Sequence, residues 1–155
     1  MNILIIGFGN IGKHYYKLCK KRGYNVYIND PIKSEIKNLN YIELENIKKY
    51  KIDFGIVCTP SGSHYDNASF LIKNNIHTLI EKPMVLKIND AKKLINLKKN
   101  KKIKCWVSFQ NRYNKATKLL KRKYSKDKDI FMLNANLFWH RDKEYYNNNW
   151  RGKYK

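Results

Sequence analysis

Three of the chain's seven glycines fall within six residues, in the run Gly7-Phe8-Gly9-Asn10-Ile11-Gly12. The run follows an apolar segment at 2–6 and precedes a segment with helical periodicity. A G-x-G-x-x-G turn between a strand and a helix is the context that a dinucleotide phosphate loop requires. Each glycine has its own mechanical role. Gly7 permits the tight turn, Gly9 lets backbone approach a pyrophosphate, and Gly12 brings the helix close to the strand. The helix start then offers free N–H groups and a partial positive charge to phosphates. Asp30 lies 18 residues after Gly12, at the end of a second predicted strand. A carboxylate there accepts hydrogen bonds from ribose hydroxyls and repels a 2′-phosphate, which favours NAD over NADP.

Short apolar runs alternate with helical patterns along the rest of the chain, the signature of βαβ units. Strands are expected at 2–6, 24–29, 41–44, 53–59, 77–82 and 103–109, and helices through about 22, at 32–39, 45–50, 64–74, 89–100 and 114–124. Asn89 is the expected N-cap of its helix, and Ile88, Ala91, Leu94 and Ile95 its apolar stripe. The fold class is α/β, a doubly wound, mostly parallel sheet. After 124 the pattern changes to a polar turn at 125–129, a strand of a different layer at 130–139 and an aromatic, polar loop at 140–155. A length of 155 residues holds one ordinary domain or one plus a fragment.

Charge raises a competing reading. Lys and Arg number 33 against 12 Asp and Glu, a formal net charge of +21. Clustered cations bind polyanions by releasing counterions. Lysine supplies 28 of the 33 cations, however, and arginine, the better phosphate fork, is scarce. Lys92, Lys93, Lys98 and Lys99 fall on or near the polar side of a helix, as a solvated surface would. Non-specific adhesion at low salt is expected, and specific nucleic-acid binding is not. Cys19, Cys58 and Cys105 are far apart and form no C-x-x-C pair, so neither a disulfide framework nor a metal site is expected. No apolar run reaches the ~18 residues of a membrane span, and the N-terminus has no basic stretch before its apolar run. A cytoplasmic protein is expected.

Thr59-Pro60 and Glu81-Lys82-Pro83 fall at the carboxyl ends of the predicted fourth and fifth strands, where open α/β sheets bind ligands. A lysine there is placed to hydrogen-bond a substrate hydroxyl and relay its proton. By position alone, one exposed lysine among 28 explains Lys82 equally well.

The ordered set G-F-G-N-I-G (Gly7 to Gly12), D-P (Asp30, Pro31), C-T-P-S-G-S-H (Cys58 to His64), E-K-P (Glu81 to Pro83) and F-Q-N-R-Y (Phe109 to Tyr113) resembles the glucose–fructose oxidoreductase and inositol dehydrogenase family. Members join an N-terminal Rossmann domain to a C-terminal α/β domain and oxidise or reduce hydroxyls of sugars and polyols with NAD or NADP. The resemblance implies that Lys82 is the catalytic lysine, that Glu81 and Pro83 shape the nicotinamide site, and that Thr59, Pro60 and His64 lie along the cofactor. Phe8, Asn10 and Ile11 join the three glycines as cofactor-loop residues, and the bond before Pro83 is expected to be cis. Within the family, the tail from Leu137 to Gly152 looks most like the branch acting on UDP-linked N-acetylhexosamines or their uronates. That likeness implies Lys82, Arg112, Tyr113, Trp150 and Arg151 as substrate-binding residues. The domains implied are an NAD-binding Rossmann domain at 1–118 and an incomplete start of a substrate and oligomerisation domain at 119–155.

Family members run to about twice this length, and none of His14, His64, His77 and His140 lies in the sequence context of the histidine that works beside the lysine. His14 and His77 read as surface or packing residues. Three readings follow: an NAD-dependent oxidoreductase of a nucleotide sugar, a non-catalytic NAD-binding remnant or interaction module, and a polyanion binder. The strand at 130–139 is the expected contact for self-association or a companion chain.

Overall fold

The computed structural model describes residues 1–32, 39–124, 132, 134, 136, 138 and 140–147. Its contacts divide the chain into two units, Met1–Phe109 and Gln110–Lys155.

The first unit is built on a parallel five-stranded sheet in the order β2-β1-β3-β4-β5. The strands are β1 (Asn2–Ile6), β2 (Asn25–Asn29), β3 (Phe54–Val57), β4 (His77–Ile80) and β5 (Cys105–Val107). Ile3 to Ile6 is apolar at every position because both faces of the sheet are covered. Leu4, Ile6, Val57 and Ile80 face a core shared with Ala68, Leu71 and Ile72 of helix α2 (His64–Lys73) and Leu94 of helix α3 (Ile88–Lys99). Ile3, Ile5, Val26 and Ile56 face the other way, against Cys19 of helix α1 (Asn10–Lys21). Beyond β2, Ile28 bridges Tyr41 in parallel, and the Ile42 N–H donates to the Ile28 carbonyl at 2.9 Å. The strand expected at 41–44 is reduced to this one bridge, because a 3-10 helix begins at Leu44. Counted as an outermost strand position, the bridge gives the 3-2-1-4-5-6 order of dinucleotide-binding sheets.

Several boundaries differ from expectation for local reasons. β3, β4 and β5 are shorter because the chain leaves the ladder just before Pro60 and Pro83 and into the turn after Ser108. Asn89 lies inside the first turn of α3, whose N-cap is Lys87. Leu94 is buried and Leu97 packs on the same core, while Ile88 and Ile95 are exposed. The inward stripe therefore follows positions 94 and 97, three apart on one face. The expected loop at 140–155 contains a short helix, α5 (Lys143–Tyr146), capped by Asp142 Oδ1 accepting the Tyr145 N–H at 2.9 Å. The second unit also contains a 3-10 turn (Gln110–Tyr113) and helix α4 (Lys115–Tyr124). The helix expected at 32–39, the turn at 125–129 and the strand at 130–139 lie wholly or largely outside the described residues. Among the described residues no helix is long and apolar enough to cross a membrane.

Helix α2 can settle on β3 because Gly55 has no side chain: a Cβ there would stand 2.5 Å from Leu71 Cδ1. Leu71 is fully buried and has nowhere to retreat. Gly55→Val is expected to lower unfolding free energy by about 1–3 kcal/mol through overpacking, measurable by urea denaturation.

Candidate functional site

The register aligns Asn29, Ile6, Val57, Ile80 and Val107 in one row across the sheet. One residue further, the Gly7 N–H donates to Asn29 O at 2.8 Å, Cys58 to Ile6 O at 2.7 Å, Glu81 to Val57 O at 3.0 Å and Ser108 to Ile80 O at 2.8 Å. Asp30, Gly7, Cys58, Glu81 and Ser108 thus form one tier along the carboxyl ends of the strands. The chain passes from β1 to β2 on one side and reaches β3 on the other, so the crevice of an open α/β sheet lies at the end of β1.

The glycine loop occupies that point. Gly7 has φ +94°, and a Cβ on it would lie 2.7 Å from the Thr59 backbone nitrogen. Two constraints therefore demand glycine there, one conformational and one steric. A Cβ at Gly12 would collide with the Gly7 carbonyl oxygen, so the first turn of α1 lies against its own loop. At Gly9 a Cβ would meet no protein atom within 4 Å. The protein's own packing does not require that glycine, and the space above it is open to a ligand. The first helical bond of α1 runs from the Lys13 N–H to Gly9 O, leaving the N–H groups of Asn10, Ile11 and Gly12 without partners inside the helix. No acidic residue occupies the first turn. Phe8 turns inward against Ile28, while Asn10 and Ile11 are exposed at the helix start.

Asp30 does more than face the crevice. Its Oδ2 accepts the Phe8 N–H at 2.6 Å and its Oδ1 accepts the Ile32 N–H at 2.8 Å. The carboxylate therefore ties the glycine loop to the end of β2. Each oxygen retains acceptor capacity for ribose hydroxyls.

On the far side of the switch point, His64 is buried and its ring stands between two loops. Nδ1 lies 2.7 Å from Pro83 O and Nε2 2.8 Å from Thr59 O. Both ring edges are taken up by backbone, so His64 joins the Thr59 and Glu81-Lys82-Pro83 segments and offers no free nitrogen to the cleft. Asn67 reinforces the same turn through Ser63 O at 2.8 Å. The Lys82–Pro83 peptide bond is cis. Lys82 and Pro60 are exposed and Thr59 is half-buried. Glu81 is held from two directions, with Oε1 accepting the Tyr15 hydroxyl at 2.9 Å and Oε2 the Lys82 N–H at 3.2 Å. Tyr15 Oη also lies 3.0 Å from Ser108 Oγ. Arg112 and Tyr113 lie in the second unit, exposed on its 3-10 turn. Trp150 and Arg151 lie outside the described residues. His77 Nδ1 accepts the Lys104 N–H at 3.0 Å, a structural use.

Residues 1–109 match the oxidoreductase family with an NAD-binding Rossmann fold. The chain belongs to that family. Among solved structures it is similar to the WlbA dehydrogenase of Chromobacterium violaceum, crystallised with NADH and UDP-GlcNAcA, at 25% identity and TM-score 0.88, over 98% of this chain and 48% of that one. The Bordetella pertussis WlbA dehydrogenase gives 24% identity and TM-score 0.82 over 94% of this chain and 48% of that one. UDP-N-acetylglucosamine 3-dehydrogenase GnnA of Acidithiobacillus ferrooxidans gives 19% and 0.68 over 80% and 42%. The chain therefore spans about half the length of these structures.

NAD is the cofactor of this Rossmann fold, and the residues present suit it. The open space at Gly9, the N–H groups at the start of α1 and the carboxylate of Asp30 would supply a cradle, a positive helix end and a ribose acceptor.

Tyr15 and Ser108 belong to no motif that the sequence reveals. Tyr15 lies one turn past Gly12 on the side of α1 that faces the sheet, and its hydroxyl partner is 66 residues away. Helical phase alone marks it as inward-facing, and nothing local marks it as a donor to Glu81.

Burial pushes the Cys58 thiol up from 9.0 to about 12, with the Glu81 carboxylate adding to it. Burial likewise raises the Tyr15 phenol from 10.0 to about 12, opposed by its Ser108 hydrogen bond and reinforced by Glu81. Both groups stay neutral in the folded chain while the unfolded chain ionises first. Their contribution is complete below about pH 9 and is lost as pH rises toward 12. Unfolding free energy is expected to fall over that interval, and Cys58→Ala with Tyr15→Phe is expected to flatten the fall in denaturant titrations at stepped pH.

Proposed function

We propose that this chain carries the cofactor site and the catalytic lysine of an NAD-dependent dehydrogenase that oxidises a hydroxyl of a nucleotide-linked sugar. The observation that carries the reading is the rim of the sheet. Asp30, the glycine loop and the Glu81-Lys82-Pro83 segment stand along one edge, with Lys82 exposed beside a fixed carboxylate. Bound NAD supplies the hydride acceptor. Once its ammonium has given a proton to solvent, the Lys82 Nζ amine takes the proton of the reacting hydroxyl as the carbon gives up its hydride and becomes a carbonyl. The proton then passes to solvent, to which Lys82 is open. Glu81 accepts the Lys82 N–H and so fixes the backbone from which that side chain extends.

The substrate class rests on likeness to the Chromobacterium violaceum dehydrogenase crystallised with NADH and UDP-GlcNAcA, which follows this chain over 98% of its length. Arg112, Tyr113, Trp150 and Arg151 are the proposed substrate contacts. Arginine suits the diphosphate because its guanidinium presents a planar fork of donors.

Two measurements test the reading. In a calorimetric NAD titration, Asp30→Asn is expected to weaken binding by about 1.5–3 kcal/mol through lost hydrogen bonds to a charged group. The asparagine retains an acceptor for the Phe8 N–H, whereas Asp30→Ala is expected to destabilise the loop as well. In an NADH absorbance assay with UDP-N-acetylglucosamine and its uronate, Lys82→Ala is expected to lower turnover by about 10²–10⁴-fold while NAD affinity holds. Dinucleotide binding with no turnover on either sugar would favour a binding module; turnover surviving Lys82→Ala would remove that lysine from the chemistry.

A further inference from the structure

The tier at the sheet rim has two acidic members, and they stand on opposite sides of the switch point. Asp30 follows β2 and Glu81 follows β4. A dinucleotide whose pyrophosphate sits at the start of α1 sends one nucleoside to each side. The ribose acceptor at Asp30 draws the adenosine half toward β2. The nicotinamide half then falls on the side of β3 and β4, over the tier positions of Cys58 and Glu81. This placement rests on the cofactor reading above.

The two redox forms of the nicotinamide ring differ by one positive charge. A fixed charge near that ring is therefore a fixed difference in affinity between them. On this side of the tier Cys58 is a neutral thiol, and Glu81 carries the charge. Its carboxylate is half-buried, and among the described residues no cation pairs with it. Lys82 is the neighbouring opposite charge, but its ammonium is exposed on a flexible stem, where water screens it. Glu81 cannot swing out in the same way. Tyr15 on α1 holds one oxygen, the Lys82 N–H holds the other, and Ser108 holds Tyr15 in turn. Both hydrogen bonds to Glu81 come from neutral donors, so they orient its charge without cancelling it.

We propose that Glu81 makes this site bind NAD+ in preference to NADH, with Tyr15 as the positioning residue that keeps the carboxylate in place. A Tyr15 with a purely structural role would weaken both forms alike. A Tyr15 acting through Glu81 changes their ratio.

The experiment is calorimetric titration of the full chain with NAD+ and with NADH at one pH and one ionic strength, for wild type, Glu81→Gln, Tyr15→Phe and the double variant. Glu81→Gln is expected to lower the preference for NAD+ by about fivefold or more, as removal of a nearby charge requires. Tyr15→Phe keeps the ring's packing, and its shift is expected to be smaller and in the same direction. The double variant is expected to match Glu81→Gln alone. An unchanged ratio in Glu81→Gln overturns the proposal while leaving the cofactor site standing. A Tyr15→Phe shift that persists on the Glu81→Gln background overturns the role given to Tyr15. Failure of wild type to bind either form overturns the cofactor reading itself, and this inference with it. If Glu81→Gln does not fold, Tyr15→Phe decides alone: a changed ratio supports the proposal and an unchanged one overturns it.

Discussion

Helix α1 lies against its own loop because Gly12 presents no side chain to the Gly7 carbonyl. Much of the site depends on that approach. It sets the height of the helix start above the end of β1, and so where the unpaired N–H groups point. It also sets the position of everything further along the helix. Tyr15 reaches Glu81 and Ser108 because the first turn is already docked, and Cys19 reaches the core formed by Ile3, Ile5 and Ile56. A methyl group at position 12 would lift the helix, and its effect would spread from the phosphate end to the far side of the cleft.

The parallel sheet ends all five strands in one aligned row, but parallel register by itself does not fix the loops that follow. Side chains do that here, each joining two loops. Asp30 ties the end of β2 to the glycine loop. His64 joins the segment after β3 to the segment after β4, and Tyr15 joins α1 to the ends of β4 and β5. Each uses a polar atom that is costly to leave unpaired when water is excluded. The rim is therefore pre-organised before any ligand arrives, which lowers the ordering cost of binding. Asp30 illustrates the consequence: its carboxylate ties the glycine loop to the end of β2, so an alanine there loosens the loop itself.

Where chemistry is local in sequence, the chain discloses it. Gly7, Gly9 and Gly12 adjoin one another, and a strand and a helix flank them; their mechanical roles follow from spacing alone. The βαβ alternation likewise discloses the five parallel strands, because burial on both faces leaves apolar runs. The inward face of α3 is harder to read, since Ile88 and Ile95 have the composition of a core stripe but the phase of the exposed side. The segment at 41–44 has the residues of a strand and keeps one bridge of it, because the turn that follows arrives too early. His64 shows the same limit within the site. Its place in a motif marks it as special, but only the fold shows that both ring nitrogens meet carbonyls. Tyr15 leaves no sequence signal, because its partners are brought to it by the sheet.

The net charge of +21 and the cofactor site bear on different length scales. Exposed lysines act on an anionic ligand over roughly a Debye length, about 10 Å at 0.1 M salt, and raise its local concentration without choosing among anions. Selection needs groups at contact. At the rim the groups placed for contact are the backbone N–H groups at the start of α1 and the carboxylates of Asp30 and Glu81. A free phosphate or a polynucleotide meets the lysines as readily as a dinucleotide does, but it has nothing to offer Asp30 or Glu81 in the same geometry. Raising the salt concentration therefore separates the two contributions, since it screens the surface lysines far more than the half-buried contacts at the sheet edge.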